Sequence, residues 1–221
     1  MQENKLSITS DGSHSIFSDQ FQALYHSSHG AIQESMHVFI AAGLLPLLEQ
    51  KSVNILEMGF GSGLNPLLTL IESEKSDHLI HFETVEAYPI SLDQASQLNY
   101  LSQLNRGDLK DIFLKFHTAQ SGELVRHGHF SFAKHLTKLE DAHFETKFDL
   151  VYYDAFSPLD QEELWTPEIF IHITTFLNPG AILVSYCCKG TFKRSLKAAG
   201  FQIEKIPGPP GKREMIRAVY P

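Results

Sequence analysis

The sequence predicts an open α/β fold: a mostly parallel seven-stranded sheet flanked by helices, its last two strands forming an antiparallel hairpin. Three observations carry that expectation. Strand-like and helix-like stretches alternate from residue 53 to residue 199, the pattern of parallel strands joined by crossover helices. A glycine-rich turn follows the first core strand, where open α/β sheets place their ligand loops. The last two strands are joined by a Pro- and Gly-rich segment with no helix, so they must run antiparallel.

In chain order, residues 6–9 and 13–17 read as short strands around the Asp11-Gly12 turn. A polar stretch from Tyr25 to Ser35 leads into a helix over 35–49, where Met36, Phe39, Ile40, Leu44, Leu47 and Leu48 recur at helical spacing. Val53, Ile55 and Leu56 mark the first core strand. Asn65-Pro66 suits an N-cap followed by the first helical position, because proline has no N–H to leave unpaired there; a helix is expected over 66–74. A strand over 79–86, helices over 91–104 and 108–115, and a strand over 130–136 come next. Residues 148–153 form the fourth core strand, stopped by Asp154-Ala155-Phe156-Ser157-Pro158. After a helix over 167–176, Asn178-Pro179-Gly180 turns the chain into a fifth strand over 181–187. A helix over 191–199 stops at Gly200, and strands over 201–206 and 215–220 close the chain. Nothing reads as a linker or repeat. A single domain over 1–221 is expected, with a hairpin-and-helix extension (1–50) on a core over 51–221.

The chain has 221 residues, 43% hydrophobic and 20% charged, the balance of an ordinary globular domain. No apolar run is long enough to cross a bilayer, and residues 1–10 are too polar for a signal peptide, so a cytoplasmic protein without membrane contact is expected. Cys187 and Cys188 are adjacent, cannot close a useful loop, and read as interior strand residues in a reducing compartment. The net charge of −8 argues against a nucleic-acid partner, but its distribution is uneven. From Lys189 onward eight basic residues stand against two acidic ones, a balance of +6 that leaves −14 for the remainder. Such asymmetry steers an anion to one face; a merely solvated basic face is the competing reading.

The glycine loop reads Glu57-x-Gly59-x-Gly61-x-Gly63. Leu64 stands where the dinucleotide fingerprint would need its spacing to hold, so that motif is absent. An acidic residue followed by alternating glycines fits S-adenosyl-L-methionine, which has no pyrophosphate but carries an ammonium and a sulfonium. Another nucleotide ligand or a structural turn stays open at this point. Glu86 ends the second strand, where a carboxylate accepts hydrogen bonds from both ribose hydroxyls. Glu83 is the rival acid, three residues earlier and inside the strand. Asp154 ends the fourth strand, across the cleft, where a carboxylate can accept an N–H bond from an acceptor amine, orient it and take up its proton. Phe156 and Pro158 would give an apolar rim able to stack on a planar base, and Trp165 is open to either a rim or a core role. His26-x-x-His29 and His127-x-His129 lack further ligands at a recognisable spacing, so no metal is expected.

Several short motifs recur together in one family: Asp11-Gly12-Ser13, Tyr25-His26-Ser27, Gly30-Ala31-x-x-Glu34-Ser35, Gly59-Phe60-Gly61-Ser62-Gly63-Leu64-Asn65, Asp154-Ala155-Phe156-Ser157-Pro158, Glu163-Leu164-Trp165-Thr166 and Gly211-Lys212-Arg213-Glu214-Met215. In this order they resemble the methyltransferase domain of the MnmC type, over nearly the whole chain. The resemblance implies a Rossmann-like S-adenosyl-L-methionine-dependent fold. It further implies N-methylation of 5-aminomethyl-(2-thio)uridine to 5-methylaminomethyl-(2-thio)uridine at the tRNA wobble position. Mapped by motif, Tyr25, Glu34, Ser35, Glu57, Gly59, Phe60, Gly61, Gly63, Asn65 and Glu86 would line the cofactor, and Asp154 would hold the substrate amine. Phe156, Ser157 and Pro158 would shape the base pocket. Lys189, Lys193, Arg194, Lys212 and Arg213 would meet phosphates of the anticodon stem-loop. Larger family members continue into an FAD-dependent domain, whereas this sequence stops at Pro221. A stand-alone form is therefore expected, without the oxidative step that removes a carboxymethyl group. The family's Gly-Asp pair near the third strand is missing from 130–136, which leaves the adenine contact unnamed.

Two other functions compete with this one. A methyltransferase or aminopropyltransferase for a small free amine would suit an acid-lined cleft, but a cationic substrate gains nothing from the basic tail. A non-catalytic cofactor-binding module would have no use for Asp154.

Overall fold

The structure, a computed structural model, describes residues 5–221; the first four of the residues read as too polar for a signal peptide lie outside that range. Strands β1 (Lys5–Ile8), β2 (His14–Ser18) and β3 (Ala23–Leu24) form a small antiparallel sheet, one strand more than the expected hairpin. Its Asp11 turn is tied to the first helix, α1 (Ala31–Ser35). The two carboxylate oxygens accept from the backbone N–H groups of Ser13 (2.9 Å) and of Gln33 within α1 (3.0 Å).

Helix α1 does not continue as an ordinary α-helix. It widens into a π-helix over Met36–Leu44 and ends in a 3₁₀ turn over Leu45–Leu47. The sequence here is apolar nearly all round, and the wider winding buries Val38, Phe39, Ile40, Gly43 and Leu44. Gly43 lies against the main sheet: a Cβ there would sit 3.0 Å from Val184 and 3.3 Å from Leu150.

The remaining elements run β4 (Ser52–Met58), α2 (Leu64–Ser73), β5 (Leu79–Val85), α3 (Leu92–Ser96), α4 (Tyr100–Gln103), α5 (Lys110–Thr118), β6 (Val125–His127), β7 (Phe130–His135) and β8 (Phe148–Tyr153). Then come α6 (Pro167–Thr174), β9 (Leu177–Ser185), α7 (Gly190–Ala198), β10 (Gln202–Pro207) and β11 (Glu214–Val219). The main sheet has the order β10-β11-β9-β8-β4-β5-β7-β6. Strands β7, β5, β4, β8 and β9 are parallel, and β10 and β11 form the antiparallel hairpin. The seven expected strands are all present. An eighth, β6, pairs antiparallel with the outer edge of β7.

Both sheet faces are covered. Phe39, Leu67, Phe116 and Phe132 belong to the core on the side of the π-helix, α2 and α5. Tyr153, Trp165, Phe170 and Phe192 belong to the core on the side of α6 and α7. Trp165 is thus a core residue, not part of a rim.

Four local expectations are corrected. Asn65 is not the cap of α2: Gly63, at φ +74°, takes that position, which places Asn65 and Pro66 inside the first turn. The helix expected over 91–104 breaks at 97–99, because Asn99 is recruited by the small sheet. Its amide donates to the Gly12 carbonyl (2.9 Å), and its carbonyl accepts from the His14 N–H (2.8 Å). Asn178-Pro179-Gly180 is no connector but a bulge within β9, between the pairs Phe148–Leu177 and Leu150–Ile182. Gly180 adopts φ +83° there and donates to the Tyr220 carbonyl at 2.7 Å. Finally, both cysteines lie beyond the end of β9, Cys187 buried and Cys188 exposed. By contrast, Gly200 ends α7 as expected. Its N–H reaches the Lys197 carbonyl (3.0 Å) and that of Phe201 reaches Leu196 (3.0 Å), a Schellman closure.

Candidate active site

The neighbours of β4 are reached in opposite directions along the sheet, through α2 to β5 on one side and onward to β8 on the other. A crevice opens at the carboxyl ends of such strands. Here it is a cavity of about 470 Å³, within the ~300–1,000 Å³ range typical of ligand pockets. Its wall includes Tyr25, Glu34, Gly59, Phe60, Gly61, Asn65, Glu86, Asp154, Phe156, Ser157 and Lys212, all anticipated from sequence.

The floor is the glycine loop. Gly61 sits at φ +51°, and a Cβ on it would lie 2.9 Å from the Tyr25 ring. A Cβ on Gly59 would lie 2.8 Å from the Asp154 carbonyl oxygen. Neither position has space for a Cβ, so the loop reaches the cavity as bare backbone. Glu86 braces this loop: one carboxylate oxygen accepts from Gly61 N–H (2.8 Å) and the other from Tyr88 N–H (2.7 Å). Burial raises the Glu86 pKa, opposed by those two N–H groups and by the Lys134 ammonium. Glu83, the rival acid, faces elsewhere. It pairs with His81 (2.8 Å) and His135 (2.6 Å), which outweigh its burial and hold it down to about 2.

Beneath the loop, Glu57 is fully buried, and neither carboxylate oxygen has a hydrogen-bond partner; nor does Asn65 Oδ1. Burial pushes the Glu57 carboxyl up to about 8, although the nearby Thr84 and Asn65 side chains temper the effect. Asn65 Nδ2 donates to Asp154 Oδ2 at 2.9 Å. Burial, and then the neighbouring Glu57, drive the Asp154 pKa well above the usual carboxylate range; Asn65 and Lys212 pull it back.

Lys212, expected at a phosphate, belongs to the cavity wall instead. Its Nζ lies 2.6 Å from Glu34 Oε1 and 4.0 Å from the centre of the Tyr186 ring. The other Glu34 oxygen accepts from Ser27 N–H at 2.9 Å. The β10–β11 loop is thereby fastened over α1, with Gly211 packed against the His29 ring and His37 Nε2 2.9 Å from the Pro207 carbonyl.

Residues 154–157 are held from several sides. The Tyr186 hydroxyl donates to Ala155 O (2.9 Å) and Trp165 Nε1 to Phe156 O (2.9 Å), while Ser157 Oγ donates to Asp160 (2.7 Å). Phe156 stacks on Phe21 with centroids 4.5 Å apart and meets the Tyr25 ring edge-on at 5.1 Å.

Other anticipated residues lie outside the cavity wall. Ser35 is fully buried with an unpartnered hydroxyl. Gly63 is shut off by His117 and Phe60. Glu57, Pro158, Lys189, Lys193, Arg194 and Arg213 do not line the cavity either. Sequence reasoning in turn missed Phe21, His26, Ser62, Tyr88 and Tyr186, which do. In the sequence His26 raises only the question of a metal ligand. In the fold it is buried, neutral, lowered to about 4 by that burial, and its Nε2 lies 2.9 Å from Ser62 Oγ, joining the small sheet to the glycine loop. Among the described residues no group of three or more His, Cys, Asp or Glu could hold a metal ion.

These features fit S-adenosyl-L-methionine. The glycine loop reaches the cavity without side chains at Gly59 and Gly61, and the wall adds the carboxyl groups of Glu34, Glu86 and Asp154, an acidic lining for a ligand that carries an ammonium and a sulfonium.

Comparison with known proteins agrees. Residues 129–221 match a family model described as S-adenosyl-L-methionine-dependent methyltransferase. The chain is 30% identical over 228 residues to the tRNA 5-methylaminomethyl-2-thiouridine biosynthesis bifunctional protein MnmC of Cupriavidus metallidurans, covering 96% of this chain and 33% of that protein. It is 31% identical over 219 residues to the protein of that name from Leptospira borgpetersenii, covering 92% and 33%. The chain thus spans about a third of the length of the curated relatives it matches. Among solved structures, MNMC2 from Aquifex aeolicus superposes with a TM-score of 0.83 at 23% identity, covering 99% of this chain and 70% of that one. Spermidine synthase from Thermotoga maritima gives 0.51 at 12% identity, covering 99% and 71%. Both likenesses bear on the fold. No helix among the described residues is long and apolar enough to cross a membrane.

Proposed function

We propose that this chain, a relative of the MnmC proteins that carries the sequence pattern of S-adenosyl-L-methionine-dependent methyltransferases, methylates the primary amine of 5-aminomethyl-(2-thio)uridine at the tRNA wobble position. The product is 5-methylaminomethyl-(2-thio)uridine. The observation that carries this reading is Asp154, a carboxylate at the junction of the glycine cradle and the aromatic mouth, with one oxygen tied down by Asn65. When bound, S-adenosyl-L-methionine supplies a methyl group whose bond to sulfur breaks, the electron pair staying on sulfur, as the amine lone pair forms the N–C bond.

The chain's residues do the rest. Glu86 keeps lone pairs free beside its two backbone partners and accepts from ribose hydroxyls. Glu34 and Asp154 in the wall, with the buried Glu57 beneath the glycine loop, make this side acidic toward an ammonium group, and Tyr25 packs over Gly61. An amine enters as an ammonium and must give up a proton before its lone pair is usable. Asp154, with its raised pKa, takes that proton and keeps the nitrogen aimed along the transfer axis. Phe156 and Phe21 exclude water and present aromatic faces to a flipped-out pyrimidine. Lys193, Arg194 and Arg213 serve phosphates outside the cavity, whereas the Lys189 ammonium is buried.

The small-amine reading gains nothing from the basic residues that follow Lys189, since a cationic substrate is not drawn to them. The test is incubation with labelled S-adenosyl-L-methionine and tRNA from cells lacking this modification, followed by nucleoside analysis. Label in methylaminomethyluridine is expected; label in free amines, or none, overturns the reading. Asp154→Ala should abolish transfer while leaving cofactor affinity within about threefold, whereas equal loss of both would make Asp154 a cofactor ligand.

A further inference from the structure

We infer that Asn65 is a positioning residue for Asp154: its amide fixes one carboxylate oxygen and turns the other toward the substrate amine. This inference rests on the amine-methylation reading above and assigns to Asn65 a duty other than lining the cofactor.

The geometry separates the two duties. Asn65 stands in the first turn of α2, capped by Gly63, so its side chain is not occupied by helix capping. It is 3% exposed, and its amide donates across the crevice to Asp154 Oδ2 at 2.9 Å. Asp154 follows β8 on a backbone pinned by its own N–H to Met58 O (3.0 Å) and by the Tyr186 hydroxyl on Ala155 O (2.9 Å). With the main chain fixed, the remaining freedom of the carboxylate is rotation of its side chain. One amide donor on Oδ2 removes it and leaves Oδ1 as the acceptor facing the cavity.

The same contact sets the charge state. The ionisable groups around Asp154 are Glu57 from β4, Glu34 from α1, Tyr100 from α4, Lys212 from the β10–β11 loop and Tyr186 after β9. Two of these are carboxyls, and Lys212 is already paired with Glu34. Of the two groups that favour the ionised form, Asn65 and then Lys212, Asn65 is the one that touches the carboxylate, and it helps Asp154 ionise and take a proton from the bound amine. The same side chain also tempers the raised pKa of Glu57, so the amide acts on both acids.

The experiment compares wild type with Asn65→Leu, of similar size but without a donor, and with Asn65→Asp, which preserves shape and sets an acid against an acid. Three readouts are taken: the pH dependence of kcat on modification-deficient tRNA, the calorimetric Kd for S-adenosyl-L-homocysteine, and the titration of the Asp154 carboxyl by ¹³C NMR. For Asn65→Leu the acidic limb of the kcat profile and the Asp154 titration should both move up by about one unit or more, since one pH unit corresponds to losing a single hydrogen bond to a charged acceptor. Asn65→Asp should move them further, and the Kd should stay within about threefold. An unmoved titration, or a Kd that weakens as much as kcat/KM falls, overturns the inference. Should Asn65→Leu not fold, Asn65→Asp carries the same comparison. The NMR titration needs no substrate, so it decides the role of Asn65 even if wild-type protein leaves tRNA unmethylated, an outcome that would sink the proposed function instead.

Discussion

Glu57 shows how a site for a charged ligand costs stability. Its carboxyl is fully buried with both oxygens unpartnered, and its pKa rises to about 8. The folded chain therefore holds a proton that the unfolded chain releases near pH 4.5. Its stabilising contribution is complete below that value and is lost as pH climbs toward 8. Glu57→Gln removes the titration. Urea unfolding of ligand-free protein at pH 5 and pH 8.5 should show wild type losing a few kcal/mol more than the variant between the two. Equal slopes would mean that Glu57 is solvated or paired. The acid itself was legible from its place before the glycines, but its lack of partners was not, because that depends on what Thr84 and Asn65 do in three dimensions. Residues meeting across the fold were likewise hidden. The His26–Ser62 contact joins positions 36 apart in sequence, and a histidine read alone suggests a metal before it suggests a clamp.

At the scale of elements, periodicity located the strands because buried parallel strands are short apolar runs with sharp ends. It failed where tertiary contacts override local preference. Asn99 breaks a helix to serve the small sheet, Asn178-Pro179-Gly180 is absorbed as a bulge, and the apolar 36–44 stretch widens its winding to bury more of its circumference. Asn65-Pro66 misled for a related reason: a glycine two residues earlier could take the left-handed cap, freeing Asn65 for the crevice. The glycine loop, in contrast, was legible because spacing alone encodes it. Gly61→Ala tests that element. With φ at +51° and the Tyr25 ring 2.9 Å from the new Cβ, the substitution should weaken S-adenosyl-L-homocysteine binding at least tenfold by calorimetry. Circular dichroism should meanwhile be unchanged.

For the whole molecule, charge distribution matters more than net charge. The −8 chain concentrates basic residues after Lys189, yet the structure withdraws Lys212 from that surface into an ion pair with Glu34. Lys193, Arg194 and Arg213 remain outside the cavity. Replacing these three by Gln should weaken tRNA binding and flatten the slope of log K against log salt, measured by filter binding, without affecting cofactor affinity. An unchanged slope would assign the docking to another face.

The unanticipated strand β6 bears on a different matter. An eight-stranded open sheet ends in two rows of unpaired backbone groups, templates for edge-to-edge aggregation. On one side the exposed edge strand is β10, carrying Glu204, Lys205 and a terminal proline. On the other, the six-residue β7 is covered by β6, only three residues long and bearing Arg126 and His127. A short charged strand thus covers Phe130–Phe132 of β7, the half of that edge richest in aromatic side chains, and offers an incoming strand only three residues to pair with.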